Sequence, residues 1–182
     1  MKASIIFDGR LHLEAAKALE YLQGKVLSVC LSWQKIRCQQ LFHSSLTYTA
    51  PVYSAIRKQV DSVLESFIDN DNGVEYKLEE VANGSWRVDL FANATKTVVE
   101  LRRPLEKLMR GRTINHESLT QSVLRHLFSP PGINLMRSIQ QQTQTYVLFD
   151  KRNFNVRVFG SSSNTAATKK KLIQSLLTYH ES

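Results

Sequence analysis

The run Ser129-Pro130-Pro131-Gly132-Ile133-Asn134-Leu135-Met136-Arg137-Ser138-Ile139-Gln140-Gln141-Gln142-Thr143 and the later Phe154-Asn155-Val156-Arg157-Val158-Phe159-Gly160 decide how this chain folds. Leu135, Met136 and Ile139 fall on one side of a 3.6-residue period, so Ile133–Gln142 is expected as a helix. Ser129–Gly132 reads as a tight loop, since two prolines and a glycine punctuate the chain there. Upstream, Glu117–Phe128 carries Leu119, Val123, Leu124 and Leu127 at helical spacing, and Thr113-Ile114 is a short strand. Downstream, Thr145–Phe149 and Phe154–Phe159 are strands split by Lys151-Arg152-Asn153, and Asn164–Tyr179 closes as a helix with Leu172, Ile173, Leu176 and Leu177 inward. The order over 113–182 is strand, helix, loop, helix, strand, strand, helix, which makes the fold class α+β.

The middle of the chain echoes this order. Val52, Ile56, Val60, Val63, Leu64 and Phe67 form a helical stripe that ends at Asn70-Asp71-Asn72-Gly73. Val74–Val81 and Trp86–Phe91 alternate around Asn83-Gly84, a hairpin signal that asks for positive φ at both turn residues. Thr95–Met109 is again helical, with Pro104 predicting a kink or a late start. Helix, hairpin, helix therefore occurs twice, a weak internal repeat of small α/β sandwiches. The first part differs. Ser4–Phe7 reads as a strand, Leu11–Gln23 as a helix stopped by Gly24, and Lys35–Leu46 as a strand. That order resembles the end of an RNA-recognition-type sandwich whose start lies upstream, so the chain reads as a piece of something longer. Aligned on Phe7, however, Lys2 and Ser4 stand where stacking rings belong, so this surface is a poor base platform. The division read from the sequence is 1–49, 50–112 and 113–182.

Of 182 residues, 24 are Lys or Arg and 16 Asp or Glu, for a net charge of +8. Residues 1–99 carry 11 of each sign, whereas 100–182 carry 13 cations and 5 anions, so the whole excess lies in the second half. A basic half beside a neutral one points to a polyanionic partner, most often nucleic acid. No stretch of about 18 apolar residues exists to cross a membrane. Cys30 and Cys38 are too few for a disulfide framework or an all-cysteine zinc site, and a reducing, intracellular home is expected, with cytoplasm, nucleus and plastid undistinguished. The five histidines lack metal-ligand spacing, and no cofactor is expected.

Residues 113–182 resemble a K-homology (KH) domain. Gly132 with the polar, basic-containing helix after it, the last strand ending at Gly160 and the Leu172/Leu176 helix carry the resemblance. The family binds single-stranded nucleic acid by clamping its backbone with a Gly-x-x-Gly loop. Such a loop needs little side-chain bulk and an amide-rich helix start facing phosphate. Here Ser129 replaces the first glycine and two prolines intervene. The resemblance makes Ser129, Gly132, Asn134 and Arg137 candidate RNA contacts, with Lys151 and Arg152 reaching phosphates from the strand-connecting loop. Arg102-Arg103, Arg110 and Arg112 read as a second basic patch, Lys169-Lys170-Lys171 as a solvated face, and Trp86 and Phe91 as packing residues.

Longer runs widen the resemblance. Leu11–Glu20, Trp33–Leu46, Ala92–Val98 and Gly132–Met136 are similar to a stretch of the plant DEAH-box RNA helicases that carry a C-terminal RING-between-RING ubiquitin-ligase region, between helicase and zinc-finger parts. The implied partners are single-stranded RNA and those helicase and zinc-finger regions. None of their catalytic machinery is in this chain. Gly24-Lys25-Val26 lacks the rest of a phosphate loop, and there is no Asp-Glu-Ala-His run and no cysteine ladder. The expected function is non-catalytic RNA binding, and the alternative is a protein-interaction spacer between helicase and ubiquitin-ligase regions.

Overall fold

A computed structural model describes residues 5, 7, 9–25, 37–68, 73–117, 119–150, 153 and 155–180. It divides into two compact units, 1–42 and 43–182. In the first, a single 3-10 turn, Gly9–Leu11, leads into helix α1, His12–Leu22. Gly24, at φ +76°, follows the helix as the sequence predicts. The strand expected at Ser4–Phe7 falls largely outside the described residues. Among the described residues, 1–41 contribute no strand.

The second unit holds two successive sandwiches. Strand β1 (Phe42–Tyr48), helix α2 (Ala50–Ile68), the hairpin β2 (Glu75–Glu80) and β3 (Trp86–Ala92), and helix α3 (Thr95–Arg110) make the first. Strand β4 (Arg112–Ile114), helices α4 (Gln121–His126) and α5 (Pro130–Thr143), strands β5 (Tyr146–Asp150) and β6 (Asn155–Phe159), and helix α6 (Ser162–His180) make the second. The sheets run β1-β3-β2 and β4-β6-β5, so in both the third strand is central and the second lies at an edge. The repeat read from periodicity is therefore a repeat of topology. The strand expected over Lys35–Leu46 runs from Phe42 to Tyr48 and pairs into the middle sandwich. Period-two patterning finds a strand but not its partner, and the open edge of β3 supplies one.

Local chemistry accounts for the other boundaries. Thr120 caps α4, its Oγ1 accepting from the Val123 N–H at 3.4 Å, so this helix starts four residues later than its apolar stripe predicts. The hairpin has one positive φ, at Gly84 (+75°), not two. The Gly84 N–H donates to the Val81 carbonyl, and the Val81 N–H to the Ser85 carbonyl, giving a three-residue loop with the glycine at its left-handed position. α3 runs through Pro104 from Thr95, without a late start. The missing proline N–H leaves the Glu100 carbonyl without its helical donor, on a turn whose Glu100 is exposed.

Each sandwich has its own core. In the first, Val88, Leu90 and Ala92 of β3 are fully buried, as are Val60, Leu64 and Leu105 of the helices. Tyr48 is fully buried, and its hydroxyl donates to the Leu105 carbonyl at 3.1 Å. Burial, with the nearby Glu106 carboxylate, pushes this phenol up, so it stays a protonated donor. In the second, Ile114, Leu124, Leu127, Ile139, Val156, Leu172 and Leu176 form one cluster. The other face of the first sheet carries a charged strip. Asp89 is 7% exposed, accepts from Arg87 Nε at 3.1 Å, and lies 3.2 Å from His43 Nε2. Arg87 and Lys77 both reach Glu79.

Burial raises the Asp89 carboxyl, but hydrogen bonds from Ser45 and His43 and the Arg87 charge outweigh it, and the net shift is downward. A depressed carboxyl stabilises the fold above its unfolded pKa, and that contribution is lost as pH falls through the folded value. Asp89→Asn is expected to cost about 1–3 kcal/mol at neutral pH. It should also flatten the acid limb of stability, measured by urea titration between neutral and acid pH.

Candidate nucleic-acid interface

The site is built where α4 meets α5. Three residues, Leu127, Phe128 and Ser129, join the helices. Pro130 and Pro131 are not loop residues, as the sequence reading has them, but the first turn of α5. Proline is stable there because its fixed φ suits a helix and the N–H it lacks would have no helical partner. Ser129 is the cap. Its Oγ accepts from the Gly132 N–H at 3.3 Å and donates to the His126 carbonyl at 2.7 Å. The Ser129 and Ile133 amides also have partners, in the carbonyls of His126 and Ser129. Two amides are thus absent from this helix start and the others are used. The amide-rich phosphate cradle that the sequence resemblance implies is not present.

Gly132 itself is buried, and for packing reasons rather than φ. A Cβ there would lie 2.3 Å from the His126 carbonyl oxygen and 2.6 Å from Leu127 Cα. Only a bare α-carbon lets α5 approach the end of α4 this closely. The far end of α5 is fixed by three buried hydroxyls. Thr143, Thr145 and Thr168 stand 2.9 Å apart in a triangle, while Thr143 also donates to the Ile139 carbonyl and Thr168 to that of Asn164. This ties α5, the start of β5 and α6 to one another. Gln144, in the left-handed region at φ 51°, ends the helix.

Between α5 and the edge strand β5 runs a half-buried apolar strip of Leu135, Met136 and Phe149. Phe128, 38% exposed, meets the Phe149 ring edge-on at 4.3 Å. Gln140 marks the β5 flank of the helix, since its Oε1 accepts from the Val147 N–H at 2.7 Å. Arg137, three residues earlier and exposed, lies on that same flank. Asn134 is also exposed, one turn from Arg137 toward the outer face.

The structure thus joins Ser129 to Gly132 through the cap and lines up Asn134 and Arg137 beyond them. Lys151 and Arg152 lie outside the described residues. Phe128, Phe149 and Gln140 escape the sequence reading. Phe128 sits at the end of an apolar helical stripe, where it reads as core. In the first sandwich nothing corresponds to this junction, because α2 is one uninterrupted 19-residue helix. There Trp86 stacks on Tyr53 at 4.4 Å and Phe91 on His43 at 4.8 Å, as packing residues. Among the described residues no group of His, Cys, Asp or Glu could hold a metal, and no helix is long and apolar enough to cross a membrane.

Two comparisons bear on this arrangement. Residues 110–182 and residues 44–109 match, respectively, the second and first of the domains described as the DEAH11 eukaryotic type KH-domain. The whole chain is 52% identical over 182 residues to the ATP-dependent RNA helicase DEAH12, chloroplastic, of Arabidopsis thaliana. It is 51% identical to the ATP-dependent RNA helicase DEAH11, chloroplastic, of the same plant. The chain spans about a tenth of the length of each relative.

Alanine in place of glycine usually stabilises a helix by about 1 kcal/mol. At position 132 the opposite sign is expected. Gly132→Ala should destabilise by about 1–3 kcal/mol through overpacking against α4, read as a lowered urea midpoint with an unchanged slope.

Proposed function

From a chain whose residues 44–109 and 110–182 are consecutive KH domains of the DEAH11 eukaryotic type, we propose a non-catalytic RNA-binding accessory region of a DEAH-box RNA helicase. The parent joins it to helicase and RING-between-RING ubiquitin-ligase regions. It resides inside the cell, with the plastid the compartment carried in both relatives' names. The observation that carries this reading is the apolar strip of Phe128, Leu135, Met136 and Phe149 between α5 and the edge of the second sheet, with Arg137 on its border. Unpaired bases rest on such a strip, since every base has an apolar face. The backbone then passes the junction at Ser129, since Gly132 is buried against the end of α4 and only shapes the turn.

With no free amides at the start of α5, phosphate recognition falls to side chains. Arg137, Lys151 and Arg152 supply charge, and Asn134 supplies an uncharged hydrogen bond. Cationic side chains make binding salt-dependent, by roughly 0.7 log unit per log salt for each phosphate neutralised on a single strand. The used or missing amides equally favour a second reading, a protein-interaction spacer that positions helicase and ubiquitin-ligase regions without touching RNA.

Fluorescence anisotropy of labelled single-stranded and duplex RNA against the 182-residue chain separates the two. The first reading expects single-strand preference, a steep salt slope, and weaker binding in both Arg137→Glu and the double variant Lys151→Glu/Arg152→Glu. Absence of RNA affinity at moderate salt is the spacer's result. Binding by the chain that neither variant weakens would put the RNA elsewhere on the surface.

A further inference from the structure

The first KH domain has no junction to admit a strand, yet it ends on an unusual helix face. Lys96, Glu100, Arg103, Lys107 and Arg110 recur at three and four residues along α3 and share one side of it. All five are exposed. Lys96 pairs with Glu100 at 3.9 Å, and Arg110 reaches Glu106 at the same distance. Glu106 is held more closely by Arg102, at 2.6 Å, on the flank facing Ser44 and Ser45. That hydrogen bond, with the charges of Arg102 and Arg110, keeps the Glu106 carboxyl below its usual range. Arg103 and Lys107 are left without an acidic partner among the described residues. Two residues past the helix, Arg112 is exposed as well.

Arg103 has Glu100 and Glu106 three residues to either side, yet both carboxylates pair elsewhere, with Lys96 and Arg102, and the like-charged Arg103 and Lys107 four residues apart repel. The helix dipole rewards cations in the last turn, which covers Lys107 and Arg110 but not Arg103, two turns from the end. An exposed row of cations kept at some cost to the helix fits a polyanion whose charges recur at similar spacing.

We infer that the Arg103–Lys107–Arg110 ridge of α3 is a second contact for the backbone of single-stranded RNA, by which the first KH domain adds affinity without reading bases. This rests on the RNA-binding reading above. RNA is favoured over an acidic protein segment because the row lies in the same unit as the α5–β5 strip and is separated from β4 by Gly111 alone. Each cation neutralises one phosphate and releases its counterions, so the contribution is electrostatic and indifferent to sequence.

The test is anisotropy of labelled single-stranded RNA, in two unrelated sequences, across a salt series from about 50 mM. The 182-residue chain is compared with Arg103→Gln/Lys107→Gln and with Lys169→Gln/Lys170→Gln. The second double variant removes two exposed cations from α6, which likewise have no acidic partner among the described residues. Circular dichroism melting checks that both keep the fold. The ridge variant is expected to lower the salt slope by about 1.4, at roughly 0.7 per phosphate, and to weaken both RNAs equally. The α6 variant is expected to leave the slope nearly unchanged. An unaltered slope in the ridge variant, with Arg137→Glu still weakening binding, overturns this inference and leaves the RNA reading standing. Equal losses in the two double variants overturn it too, since a diffuse field then explains the effect. An unmodified chain that binds no RNA removes both.

Discussion

The contact between Gly132 and the backbone of His126 and Leu127 is the constraint on which the second domain depends. A helix start seated that close to the end of its neighbour leaves room for three connecting residues only. It places Phe128 against Phe149, which with Leu135 and Met136 packs on the second core. The prolines and the serine cap serve the same end. They give α5 a rigid first turn with every amide satisfied, so the junction holds its shape without a ligand. Rigidity of this kind limits the chemistry. A helix start whose donors are spent at home does not also cradle a phosphate.

Electrostatics differ between the two repeats. On the first sheet, Lys77 and Arg87 pair with Glu79, and Arg87 and His43 with Asp89, so this strip's charges are met within it. On the second, Arg157 is spent on Asp150 at 2.7 Å. Cations left without an acidic partner among the described residues include Lys58 on α2, Arg103 and Lys107 on α3, Arg125 on α4, Arg137 on α5, and Lys169 and Lys170 on α6. Net charge located the basic half correctly, but only pairing geometry separates cations that hold the fold from those turned outward. Arg102 and Arg103, adjacent in sequence, illustrate this. One reaches Glu106, Ser44 and the Ser45 carbonyl, while the other faces solvent.

Much of the architecture was legible because it is local. Helical periods located α1, α2, α3 and α6, and alternation located the two hairpins. The topology of 113–182 followed from element order. What escaped was decided by partners distant in sequence or by a single cap. β1 alternates as a strand should, but its place beside β3 depends on an open edge that no pattern within Phe42–Tyr48 records. Thr120 cut α4 to six residues although the apolar stripe continues upstream. Pro130 and Pro131 read as a loop because proline breaks helix interiors, and the same chemistry is favourable in a first turn. At the site, Gly132 was legible as special while its reason was not. Low side-chain bulk beside a bound strand was the expectation, and clearance for the end of α4 is what the glycine supplies.

Gly111 alone stands between α3 and β4. It adopts φ +67°, and a Cβ there would press within 2.7 Å of the Phe159 ring. Linkers between modules are ordinarily where proteases cut and where inserted sequence is tolerated, because such backbone is exposed and loosely held. A joint one residue long, wedged against an aromatic ring, offers neither opportunity. Cutting and insertion at this joint are therefore disfavoured, and the two repeats share a fixed connection.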